Sequence, residues 1–210
     1  MRIRDQYRDC LGATVSREDT GPLAGIRSCP YSLGIETLTI DMTTARDFAD
    51  SRRPRHGLAV ALLELHRAGD IELAMAPQGT RLDISGELAR LITRALAEQH
   101  VAMLPQLAYL SPATFPSSTL FPGFVVKGFG DAWQAVLDSW RIHESRPADH
   151  VGSPDRFHVE THVIMRRRIF VTNDRPLQVM CRRLREEHGF AIVAMGLGDY
   201  LDHRSNSRAA

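Results

Sequence analysis

Between Ile35 and Ala76 the hydrophobic period of the chain changes from two to that of a helix and back again, and this constrains the fold more than any other feature. Ile35-Glu-Thr-Leu-Thr-Ile-Asp41 alternates apolar and polar side chains and is rich in β-branched residues, which predicts a strand ending at an acid. After Pro54, the run Gly57 to Gly69 places Leu58, Leu62 and Leu65 on one helical face and stops at a glycine suited to a C-cap. Ile71-Glu-Leu-Ala-Met-Ala76 then reads as a second short strand. A strand, helix and strand joined so closely make a crossover unit, which favours a parallel sheet with helices over its faces. Ligands of such sheets bind at the carboxyl ends of the strands, and Asp41 is expected at one of them.

The alternation continues. Residues 83 to 98 predict an amphipathic helix with Leu88, Leu91, Ile92 and Leu96 on its apolar side. From Leu104 to Gly130, Pro105, Pro112, Pro116 and Pro122 stand among serines and aromatic residues, so an irregular covering segment is expected there. Its residues Phe115, Phe121 and Phe124 suggest a subunit contact and a homodimer. Asp131 to His143 resumes helical spacing through Trp133, Val136, Leu137 and Trp140. The last third predicts a helix from Asp155 to about Arg167, a strand Ile169–Thr172, a helix from Pro176 to His188 closed by Gly189, and a strand Ala191–Ala194. The expected class is α/β, a three-layer α/β/α arrangement around a mainly parallel central sheet. The expected organisation is an irregular extension at 1–34, a domain at 35–202 with a proline-rich insertion at about 99–150, and a tail at 203–210.

Composition narrows function rather less. With 210 residues, 43% of them hydrophobic, one substantial core can be buried. The 26 basic and 25 acidic residues nearly cancel, so any contact with a polyanion must be local. Lys127 is the only lysine, leaving arginine, the better bidentate partner for phosphate, as the working cation. Cys10, Cys29 and Cys181 lack the paired spacing of a zinc or redox motif. With no apolar run long enough for a signal peptide or a membrane span, the expectation is a cytoplasmic protein with no membrane contact.

The segment Asp155 to Asp174 carries the most chemical information. An acid opens a helix, a β-rich run follows, and Thr172-Asn173-Asp174 stands where that strand stops, nineteen residues after Asp155. This resembles the C-terminal signature of the PIN family of metal-dependent nucleases, in which a helix-opening aspartate precedes a strand ending in Thr-x-Asp. The other parts follow in that family's order: Asp41 after the first strand, then Asp83 near the place of its second acid. The family usually has Asp-x-Asn after the first strand, where this chain has Asp41-Met-Thr43. The resemblance spans about residues 35 to 202. It implies a PIN-like fold, Asp41, Asp155 and Asp174 as catalytic metal ligands with Asp83 as a further one, and Thr172 orienting a carboxylate or water. It also implies Mg²⁺ or Mn²⁺ as cofactor, RNA as substrate, and a toxin's place beside a cognate antitoxin.

The residue chemistry runs parallel to that resemblance. Carboxylates gathered at strand ends repel one another until a cation neutralises them, and hard oxygen donors select Mg²⁺ or Mn²⁺. Purely structural roles compete: Asp83 and Asp155 suit helix N-caps, and Asp41 and Asp174 suit strand-end turns. Arg166, Arg167 and Arg168 form a basic block able to hold an RNA backbone, and Arg182, Arg183 and Arg185 form another. His158 and His162, four apart, could join Asp155 on zinc, although Glu160 between them turns off that face. Asp41-Met-Thr-Thr44 also resembles the first motif of haloacid-dehalogenase-like phosphatases, where a strand-end aspartate attacks phosphate. A third reading is a PIN-like module that has lost catalysis and serves in RNA binding or assembly.

Overall fold

The computed structural model describes residues 35–75, 86–104, 128–143 and 153–209. Glu36–Ala210 form one compact unit. Five strands, β1 (Glu36–Ile40), β2 (Ile71–Met75), β3 (Ala102–Met103), β4 (Ile169–Val171) and β5 (Ala194–Met195), form one sheet in the order β3-β2-β1-β4-β5. Every pairing is parallel. The α/β class and the parallel sheet are therefore as expected. Among the described residues are seven helices: α1 (Met42–Ala49), α2 (His56–Arg67), α3 (Gly86–Glu98), α4 (Phe129–His143), α5 (Ser153–Ile164), α6 (Arg175–His188) and α7 (Leu197–Ala209). None of these helices is long and apolar enough to cross a membrane.

Alternation along the central strands divides the core in two. Leu38, Ile40, Ile169 and Val171 pack on one face with Met42, Ala45 and Phe48 of α1, Leu62 of α2, Ile92 and Leu96 of α3, and Tyr200 of α7. Phe170 points the other way, among Phe129, Trp133, Val136 and Trp140 of α4, Val159 of α5, and Leu177, Met180 and Leu184 of α6. A strand buried on both faces requires helices on both, which is compatible with the expected three layers.

Several boundaries differ from the sequence expectation, each for a local reason. In α2 the buried residues are Ala59, Leu62 and Leu63, while Leu58 is 40% exposed, so the stripe is rotated by about one residue. Leu91 of α3 is likewise exposed, and Ile92 and Leu96 alone of the expected residues are described as core. The last strand lies at Ala194–Met195 rather than Ala191–Ala194, because Phe170 and Thr172 donate to the carbonyls of Val193 and Met195. Helix α7 runs through the boundary set at residue 202, so residues 203–209 continue a helix. Helix α1 and strand β3 were not foreseen. The extension at 1–34, Asp83, and the phenylalanines of the proline-rich segment lie outside the described residues.

The middle residue of the basic block before β4 proves structural. Arg168 donates its backbone N–H to the Thr37 carbonyl near the start of β1, so residues 166–168 sit at the amino edge of the sheet, opposite Asp41. Arg167 is buried, and its guanidinium donates to the Leu38 carbonyl, to the Glu72 carbonyl at 2.7 Å and to Glu72 Oε1 at 2.6 Å. The RNA contact expected of Arg166–Arg168 is corrected for Arg167, whose guanidinium is spent on strand carbonyls, while Arg166 and Arg168 are exposed at the edge opposite Asp41. Replacing Arg167 with Met removes the guanidinium's hydrogen bonds to those carbonyls and to Glu72 and should cost about 1–3 kcal/mol in urea unfolding. A variant as stable as the parent would show that the guanidinium contributes nothing there.

Candidate functional site at the carboxyl edge

The order β3-β2-β1-β4-β5 means that the chain winds outward from β1 in one direction and then returns to its other side. The switch point lies between β1 and β4, and a crevice at their carboxyl ends is where such sheets bind ligands. Asp41 follows β1 there, and Thr172-Asn173-Asp174 follow β4. The two segments touch directly. Thr172 Oγ1 donates to Asp41 Oδ2 at 2.5 Å and accepts from the Asp174 backbone N–H at 3.0 Å.

Asp41 is buried, and burial of a carboxylate is tolerable only with donors around it. Thr43 Oγ1 lies 2.9 and 2.8 Å from its two oxygens, and the Thr44 N–H donates to Oδ1 at 2.8 Å. The last contact makes Asp41 the N-cap of α1, where the helix dipole also favours a negative charge. Thr43, noted in the sequence only as a departure from the usual Asn, thus holds both carboxylate oxygens.

Asp174 caps α6 by accepting from the Leu177 N–H at 3.2 Å, and its side chain stays partly exposed. Asn173 between them is tied on both sides: its Oδ1 accepts from the Leu197 N–H at 3.1 Å, and its Nδ2 donates to Asp47 Oδ2 at 3.4 Å. Asp47 is buried and paired with Arg53 at 2.5 Å, a fixed acid that sequence reasoning missed for want of any spacing signal. Gln178 donates to the Thr172 carbonyl at 2.6 Å and completes the brace.

Helix α5 supplies the third wall. His162 Nδ1 lies 3.0 Å from Thr39 Oγ1, which fixes the helix against β1. His158 is one turn nearer the helix start, about 6 Å along the axis, and Asp41 is two residues further along the strand, about 6.6 Å. His158 accordingly feels the charge of Asp41, and it is buried with neither ring nitrogen hydrogen-bonded. Asp155 stands in the first turn of α5, partly buried, at the same edge. Burial, then the charges of Asp155 and Asp41, push the Cys181 thiol of α6 upward. Burial pulls His158 down to about 4, against the attraction of Asp41, and pulls His162 down to about 3, with Arg167 adding to the effect.

Among the described residues no three His, Cys, Asp or Glu side chains are drawn together as a ready-made metal group, neither Asp155 with His158 and His162 nor Asp41 with Asp155 and Asp174. The donors at this edge are carboxylate and hydroxyl oxygens, a hard set. They fit a cation such as Mg²⁺ or Mn²⁺, which retains several waters and is shared by one or two carboxylates and a substrate phosphate. No family model, curated protein or solved structure matches the chain.

The buried histidines set a pH dependence. Their folded pKa values lie below the usual 6.5, so between that pH and about 4 the unfolded chain binds protons that the native chain refuses. Stability is complete above pH 6.5 and falls as pH falls, by up to about 1.4 kcal/mol per pH unit for each histidine. Urea midpoints of a His162→Gln variant should show a shallower decline over this range. An undiminished slope would contradict the assignment.

Proposed function

We propose that this protein is a metal-dependent ribonuclease of PIN-like type, with Asp41, Asp155 and Asp174 around the reacting phosphodiester. The observation that carries the reading is the Asp41–Thr172–Asp174 linkage at the switch point. It gives each polar member of the Thr-x-Asp signature a task that the carboxylate chemistry needs. Thr172 fixes the Asp41 carboxyl group with its hydroxyl proton and presents its own lone pair to the backbone N–H of Asp174. Asp155 and Asp174, less buried than Asp41, are the residues that would hold Mg²⁺ or Mn²⁺ and meet the substrate. Such a cation, when bound, supplies neutralisation of phosphate charge and a water of lowered pKa.

The surrounding chain favours the same substrate. Helices α1, α5, α6 and α7 all begin at this edge, and their amino ends give a positive field suited to a phosphate group. His158, neutral at working pH, adds no cation that would compete for the carboxylates. The phosphatase alternative requires Asp41 to attack phosphate itself. Its burial and its three donors suit a fixed charge better than an open nucleophile.

Purified protein should cleave single-stranded RNA with Mg²⁺ or Mn²⁺ and not in EDTA. Asp155→Asn or Asp174→Asn, nearly isosteric but uncharged, should lower cleavage by about 10²-fold or more while leaving the unfolding midpoint within about 1 kcal/mol. Cleavage that persists in EDTA, or survives in both variants, would sink the nuclease reading. Metal-dependent phosphate release from small monoesters, lost in Asp41→Asn, would replace it with the phosphatase one.

A further inference from the structure

Helix α6 leaves the candidate site immediately after Asp174, and one of its faces carries a line of cations. Arg175, Gln178, Arg182 and Arg185 recur at intervals of three and four, which puts them on one side of a helix within a sector of about 80°. Arg175 and Arg182 are exposed and have no ion-pair partner among the described residues, and Arg185 has only a 3.4 Å contact with exposed Glu186. The fourth basic residue of this helix, Arg183, is turned away from the line and occupied by Glu187 and Ser139.

The line borders a groove. Gln178, Val179, Arg182 and Arg185 form one wall, and Ile192 and Ala194, beside edge strand β5, form the other. Its volume, about 170 Å³, is below the several hundred Å³ of pockets that enclose small molecules, so it is a surface trough. It begins at the site itself, because Gln178 also donates to the Thr172 carbonyl. A mostly polar trough bordered by guanidinium groups matches the sugar-phosphate backbone of a single strand of nucleic acid, whose phosphates need cations.

We infer that the α6–β5 groove binds the sugar-phosphate backbone of single-stranded RNA as it leaves the candidate site, with Arg175, Arg182 and Arg185 contacting successive phosphates. This deepens the ribonuclease reading and rests on RNA being the substrate. It also explains how a chain of net charge +1 holds a polyanion: a local line of three arginines on one helix face supplies the cations that the net charge does not.

The test is fluorescence anisotropy of a labelled single-stranded oligoribonucleotide of mixed sequence, titrated with the full chain in EDTA over a series of salt concentrations. Each lost phosphate contact lowers the slope of log affinity against log salt by about 0.7 for a single strand, so the Arg182→Ala/Arg185→Ala double variant should lose about 1.4. Arg94→Ala on α3, which covers the other face of the sheet, removes one charge too and should leave the slope unchanged. A double variant with the parent's slope and affinity would overturn the groove while leaving any metal-dependent cleavage, and so the nuclease reading, intact. Arginine-dependent binding in a protein that cleaves no RNA would uphold the groove and remove the nuclease. Polyglutamate competing as effectively as RNA would assign the groove to an acidic protein segment, and a parent protein with no RNA affinity would overturn both readings.

Discussion

Everything at the carboxyl edge depends on one short hydrogen bond, from the Thr172 hydroxyl to Asp41 Oδ2 at 2.5 Å. Asp41 caps α1, yet it is almost completely enclosed, and an enclosed carboxyl group without hydrogen-bond partners would be too costly to keep. The Thr172 and Thr43 hydroxyls and the Thr44 N–H meet that cost between them. The same contact joins the ends of β1 and β4 across the switch point, so the geometry of the crevice and the charge within it have a common origin. Asn173 then carries the register outward to α1 through Asp47 and to α7 through Leu197.

The two edges of the sheet are built for different purposes. At the amino edge the charges are spent internally: Arg167 on the carbonyls of β1 and β2, Arg204 and Tyr200 on Glu36 at 3.2 and 2.8 Å. These contacts tie the α5–β4 connection and α7 to the strands. At the carboxyl edge, four helices begin, two aspartates remain partly exposed, and a row of arginines leads away along α6.

Much of this was legible in the sequence, because the period of hydrophobicity is set by backbone geometry and survives without tertiary information. The parallel class followed from Ile35–Ala76, and the adjacency of Asp41 to Thr172-Asn173-Asp174 followed from strands that must end on the same side. What stayed hidden depended on packing. Arg166, Arg167 and Arg168 read as a basic surface because charge alone does not reveal that Arg167 turns inward to strand carbonyls. The rotation of α2 that exposes Leu58 is a shift of one residue, below what an apolar stripe can resolve. Asp47 gave no sign, since nothing in the spacing marks an acid whose partners, Arg53 and Asn173, come from different elements. His158 was noticed only for its spacing from His162, whereas its position against Asp41 comes from the register of α5 on β1.

The central claim is that the carboxylates at the switch point are a divalent cation site, and crystals equilibrated with Mn²⁺ test it most directly. The account predicts an anomalous peak at the carboxyl ends of β1 and β4, about 2.0–2.3 Å from oxygens of Asp155 or Asp174 and displaced by Mg²⁺. An edge empty at saturating Mn²⁺, or a peak confined to other acids of the surface, would contradict it and leave Asp41 and Asp174 as helix caps alone.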